Sequence, residues 1–150
     1  MSRQALFVYG TLLFPEIMRR VIGRVLPSRR ATLDGYARRG LEGERYPGVF
    51  PSLGESVEGK LCLGVDGATL QRLDVYEGEQ FERRWVHVRT ERGRSGAFVY
   101  SLTDRARILA TEAWSAEAFE RDAFARYLDE DGLDAPSPAL VRGVTRTRNG

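Results

Sequence analysis

Apolar and polar positions along the chain change their period several times, and the changes mark its elements. Residues 5–9, "ALFVY", form an unbroken apolar run of buried-strand length that leads into "GTLL". "PEIMRRVIG" then repeats at helical spacing. Pro15 suits the first helical position, Gly23 suits the end, and Ile17, Met18, Val21 and Ile22 make the apolar face. "TLDGYARRG" and "RYPGVF" read as short strands or extended loops punctuated by glycine. "VEGKLCLGV" alternates, which predicts a half-buried strand with Val57, Gly59, Leu61, Leu63 and Val65 on one face. Asp66 can cap a helix from Gly67 to Glu77 that Gly78 stops. "RRWVHVRT" sets Val86 and Val88 against Trp85 and His87, and "GAFVYSL" is a further strand. A last helix starts at Ser115, with Trp114 packed on Phe119. Its inner stripe is Phe119, Ala123, Phe124, Tyr127 and Leu128, and Gly132 ends it.

Short strands mixed with a few helices, without regular β-α alternation, predict an α+β fold. The expected architecture is a compact, largely antiparallel, barrel-like sheet with flanking helices. One domain is expected over residues 1–138, followed by a basic tail over 139–150 that is either a docked arm or a frayed end. No internal repeat or low-complexity segment interrupts this organisation.

Composition narrows the chemistry. The single cysteine, Cys62, allows no intrachain disulfide, which fits a reducing cytoplasm. The N-terminus lacks the apolar core and cleavage site of a signal peptide, and no run approaches the roughly 20 apolar residues of a membrane helix. Cytoplasmic location without membrane attachment is the expectation. With one histidine and one cysteine, a His/Cys zinc site fails on ligand count, so no metal is expected. A Ser-His-Asp or Cys-His site would need His87, which sits in a strand-like run. Lys60 is the only lysine, but the net charge is only +2. The arginines are interleaved with Asp and Glu, which argues against nucleic acid as a partner. No G-x-G-x-x-G phosphate loop occurs.

The informative segment is "DGATLQRLDVYEGEQFERR", residues 66–84. Leu70 and Leu73 mark the inward face of its helix. Glu77 stands seven residues beyond Leu70 and four beyond Leu73, so it returns to nearly the same azimuth. Burial and the partial negative charge of a helix C-terminus both disfavour a carboxylate there, which suits an acid/base near neutral pH. A second reading stays open, in which Glu77 reaches solvent or pairs with Arg83 or Arg84. Asp74, about 40° off the leucine stripe, reads as a solvated charge. Glu79 reads the same way, as does Glu82, placed in the turn before a strand. Tyr46 in "RYPG" and Tyr100 in "AFVY" each have two readings: a hydroxyl at a pocket, or core.

The ordered set "FVYGTL", "YPGVF", "VEGKLCLGV" and "LDVYEGEQFERRWVHV" resembles the γ-glutamylcyclotransferase-like family. The likeness is strongest to its γ-glutamylamine cyclotransferase and plant avirulence-induced-gene branch. The matching motifs are Tyr9-Gly10-Thr11-Leu12 after the first strand, Leu73-Asp74-Val75-Tyr76-Glu77-Gly78 at the helix end, and Phe81-Glu82-Arg83 leading into the next strand. The likeness runs from residue 5 to about residue 128. Phe81 stands where members often carry tyrosine, and the arm after Pro138 has no counterpart. The resemblance implies a compact barrel with no metal or organic cofactor. It implies that Tyr9, Gly10, Thr11 and Leu12 line a cavity whose backbone N–H groups hold a small γ-glutamyl substrate. It also implies that Glu77 is the catalytic acid/base of a cyclisation to 5-oxoproline. A monomer or weak homodimer is the default expectation. The alternative is a catalytically silent member of the fold that binds a small ligand or a protein.

Overall fold

The computed structural model describes residues 4–104, 113–122 and 124–130. Strands β1 (Gln4–Val8), β2 (Ser28–Gly40), β3 (Pro47–Val65), β4 (Phe81–Thr90) and β5 (Gly93–Leu102) form a closed barrel in the order β1-β3-β2-β4-β5. All neighbours are antiparallel except the closing pair, where β1 runs parallel to β5 with Leu6 opposite Phe98. The expected α+β class and largely antiparallel barrel are therefore what the chain forms.

Helix α1 (Pro15–Ile22) follows β1 after a single 3-10 turn, and α2 (Gly67–Glu77) links β3 to β4. Helical segments α3 (Ala116–Asp122) and α4 (Phe124–Glu130) occupy the span read as one helix. They flank residue 123, which lies outside the described residues, as do Gly132 and the tail. Trp114 does pack on Phe119, with ring centroids 5.7 Å apart. Among the described residues, no helix is long and apolar enough to cross a membrane.

Two cores result from the alternation of β1. Phe7, and Tyr9 just past the strand end, join Leu33, Val49, Leu61 and Val99 in one buried cluster. Its even residues Leu6 and Val8 join the apolar faces of α1 and α2 in another. The helices lie outside a closed barrel, so the first cluster is the interior and the second is the layer beneath the helices. Ile17, Met18, Val21 and Ile22 of α1 are all buried in that layer. Burial of such side chains stabilises by about 1.5–3 kcal/mol each.

The structure corrects three readings. "TLDGYARRG" and "RYPGVF" are parts of long strands rather than short pieces, because β2 and β3 pair from Ser28↔Cys62 to Gly40↔Pro47. Their register shifts between Asp34↔Ser56 and Tyr36↔Pro51, where β3 carries extra residues and bulges before pairing resumes. Val65 does not share a face with Leu61. Gln4 pairs with Val65 but Leu6 pairs with Cys62, so β3 carries one extra residue there. Gly64, at φ 78°, absorbs this bulge, and the lost parity turns Val65 into the layer beneath the helices. Glu82 lies within β4 rather than in a turn, because the strand already begins at Phe81.

Gly59 shows how tightly β1 is held. A Cβ there would overlap the Val8 carbonyl and come within 2.8 Å of the Phe7 ring. Gly59→Ala is expected to cost about 1–3 kcal/mol through overpacking, read as a lower urea midpoint. An unchanged midpoint would show that β1 yields without cost.

Candidate active site

β1 runs out at Val8, and the chain just beyond it is fixed from two sides. The Tyr9 hydroxyl donates to the Tyr100 carbonyl of β5 at 2.7 Å. Arg38, from β2, donates through Nη1 to the Tyr9 carbonyl at 2.7 Å and to the Glu58 carbonyl at 3.2 Å. A 3-10 turn comes next, with the Leu13 N–H on the Gly10 carbonyl at 2.9 Å and the Phe14 N–H on the Thr11 carbonyl at 3.1 Å. A helical turn leaves its first N–H groups outside its own ladder. Here these belong to Thr11 and Leu12. Gly10 is small for a local reason as well: a Cβ would stand 3.0 Å from the Pro47 ring.

α2 delivers the acidic groups. The Asp66 carboxylate accepts the Thr69 N–H at 2.9 Å, and Leu70, Leu73 and Tyr76 are buried. Glu77 is the last residue of the helix and half-buried, and the adjacent Gly78 returns its N–H to the Asp74 carbonyl. On the open reading of Glu77 as a partner of Arg83 or Arg84, the structure shows Arg83 paired with Asp74 at 3.4 Å and Arg84 with Glu82 at 3.7 Å.

These elements meet around one cavity of about 420 Å³, counting its open mouth. Tyr9, Gly10, Thr11, Leu12, Tyr46, Glu77 and Tyr100, all singled out from the sequence, line it. Tyr46 is buried, with its ring 6.3 Å from that of Phe81 and its hydroxyl 3.4 Å from Gln80 Oε1. Tyr100 is both core and pocket: it is buried, and its hydroxyl donates to Asp74 Oδ1 at 2.6 Å. Burial first, then the hydrogen bond to Asp74 and the charges of Asp74 and Glu77, push its pKa far up, so it stays a neutral phenol.

Sequence reasoning missed three contributors. Asp74 is not simply a solvated charge, because it holds the Tyr100 proton while also pairing with Arg83. Tyr76 lines the cavity, and its hydroxyl lies 3.3 Å from Thr11 Oγ1. Tyr127, read only as part of a helix stripe, reaches the cavity from α4 and hydrogen-bonds the Tyr76 hydroxyl. Apolar spacing marked Tyr127 as core, Tyr76 stood only within the helix-end motif, and nothing local showed that their hydroxyls meet across 51 residues.

A family model described as gamma-glutamyl cyclotransferase, AIG2-like, matches residues 6–116. The chain belongs to that family. Among its relatives, AIG2-like protein B of Arabidopsis thaliana is 36% identical over 83 residues, 55% of this chain and 48% of that protein. This family member thus spans about half the length of that relative. An Arabidopsis thaliana protein solved in solution superposes with a TM-score of 0.69 at 27% identity, covering 87% of this chain and 89% of that one. A gamma-glutamyl cyclotransferase structure shares the fold with a TM-score of 0.58 at 20% identity, over 69% of this chain and 68% of that one.

Cys62 and His87 stand apart from the cavity. His87 is exposed on β4, while Cys62 is buried beneath the helices, where burial pushes its thiol up to about 11. At pH 8 about one thiol in a thousand would be ionised. Cys62 is therefore expected to resist a thiol reagent at pH 8 until urea unfolds the chain. Rapid labelling of the native protein would contradict its placement.

Proposed function

We propose that this family member is a γ-glutamyl cyclotransferase-type enzyme, converting the γ-glutamyl group of a small molecule to 5-oxoproline with release of an amine. The observation that carries this reading is the meeting of the Glu77 side chain and the Tyr9–Leu12 turn at one cavity. The family match supports the same class of reaction.

The chemistry needs few groups. The α-nitrogen of the γ-glutamyl unit attacks its own γ-carbonyl carbon and closes a five-membered ring. The bond from that carbon to the leaving nitrogen then breaks. At neutral pH the attacking group is mostly an ammonium, since an α-amine titrates near ~8. Glu77 takes a proton from the ammonium and hands it to the departing nitrogen, then takes the second proton that the ring nitrogen must lose and passes it to the released amine, so one carboxyl serves every step and no water is consumed. Each such transfer contributes about 10²–10⁴-fold. The N–H groups that begin the turn, at Thr11 and Leu12, serve as donors to the tetrahedral oxyanion. A cavity that folds the substrate toward ring closure supplies the entropic part. Tyr46 and Tyr100 complete the wall against which the substrate is held.

The test is to incubate the protein and its Glu77→Gln variant with a panel of γ-glutamyl compounds, γ-glutamyl-lysine included, and measure 5-oxoproline by mass spectrometry. The wild type is expected to form product, and the variant to keep its fold and lose at least about 10²-fold in turnover. Equal turnover in the variant would remove Glu77 from the mechanism. Absence of product across the panel would favour a silent binding domain.

A further inference from the structure

Two hydroxyls at the cavity have already committed their protons. Tyr9 donates to the Tyr100 carbonyl at 2.7 Å, and Tyr100 donates to Asp74 Oδ1 at 2.6 Å. A phenol has one proton, so each oxygen retains only lone pairs for any further partner. For Tyr100 the choice of acceptor is firm. The Asp74 carboxylate is charged, and such hydrogen bonds are about twice as strong as neutral ones. The other acceptor nearby, the Leu70 carbonyl, is at 3.5 Å. Arg83 Nη1 lies 3.4 Å from Asp74 Oδ2, so the carboxylate that accepts the Tyr100 proton is also paired with a guanidinium. Glu77 lines the cavity one helical turn after Asp74. This wall therefore gathers oxygen acceptors, whereas the turn at Thr11 and Leu12 offers N–H donors.

We infer that Asp74 is a positioning residue that makes this wall a receptor for a primary ammonium group. By holding the Tyr100 proton, it presents the Tyr100 oxygen to the ligand only as an acceptor, alongside Tyr9 and Glu77. The inference rests on the proposed function in one respect, since there the ammonium is the α-ammonium of the γ-glutamyl unit. An anionic group at that position would face the Tyr100, Tyr9 and Glu77 oxygens as further acceptors.

The experiment compares two probes by calorimetry in the Glu77→Gln background, where turnover is suppressed. The probes are γ-glutamyl-methylamide and its analogue lacking the α-amino group. The amino compound is expected to bind about tenfold or more tightly than its analogue, the scale of one charge-assisted hydrogen bond. Adding Asp74→Ala or Tyr100→Phe is expected to remove most of that preference. The two together should do no more than either alone, because Asp74 acts through Tyr100. Asp74 is a half-exposed helix position where alanine is a good helix former, so its variant is expected to melt like its parent. In the Glu77-containing protein, Asp74→Ala should raise KM more than it lowers kcat.

Equal binding of the two probes overturns the inference. Full preference in Asp74→Ala, additive losses in the double variant, or no binding of either probe does so too. The 5-oxoproline assay judges the proposed function separately. Product from the wild type with a preference indifferent to Asp74 would sink this inference alone. A preference that depends on Asp74 without product would sink the cyclotransferase reading alone.

Discussion

Everything at the cavity depends on how β1 closes the barrel. The strand has only five residues, yet it pairs with β3 on one edge and with β5 on the other. The β5 pairing is parallel, which brings the end of β1 and the C-terminal half of β5 to the same end of the barrel. Tyr9 and Tyr100 are neighbours for that reason, and the hydrogen bond between the Tyr9 hydroxyl and the Tyr100 carbonyl is its consequence. Close packing enforces the position. Gly59 has no Cβ where the Val8 carbonyl and the Phe7 ring lie, and Arg38 holds the Tyr9 carbonyl from β2. Interiors packed at crystal-like density do not let such a strand slide.

Helix α2 divides its work by azimuth. Leu70, Leu73 and Tyr76 anchor it, Leu73 and Tyr76 being 1% and 2% exposed. That anchorage fixes where the next residue, Glu77, can reach. Asp74 lies off the anchoring face. A half-exposed ion pair such as Asp74–Arg83 contributes little to stability, typically about 1 kcal/mol or less. Its consequence is orientation instead: it keeps a carboxylate at the Tyr100 hydroxyl, and a neutral phenol whose proton direction is fixed differs chemically from one that rotates. The hydroxyls of Thr11, Tyr76 and Tyr127 form a second chain across the cavity, linking the β1 turn to α2 and α4.

Local pattern carried much of this. The strand period of residues 5–9, the Pro15 and Gly23 boundaries of α1 and the Asp66 cap of α2 depend on interactions a few residues apart, so the sequence states them directly. Gly10, Thr11 and Glu77 at the cavity were readable for a related reason. A glycine and a small hydroxyl at a strand end, and a carboxylate on a leucine stripe, depart from the surrounding pattern, and such departures are visible locally. Where the pattern misled, a long-range contact had overruled it. One extra residue opposite β1 turned Val65 onto the other face, and pairing with β2 drew two short apolar stretches into the single long strand β3.

The sequence by itself determined the order of most elements, the α+β class and some of the residues around the cavity, because periodicity, caps and small residues act within one or two turns of chain. Only the tertiary structure decided which of those residues face one another. The Tyr100 proton on Asp74, the Tyr127 hydroxyl at Tyr76 and the parallel closure of β1 on β5 join positions separated by 26, 51 and about 90 residues. Side-chain chemistry is written in the chain, but hydrogen-bond direction depends on which acceptor the fold brings within 3 Å, and that is set by packing across the whole barrel.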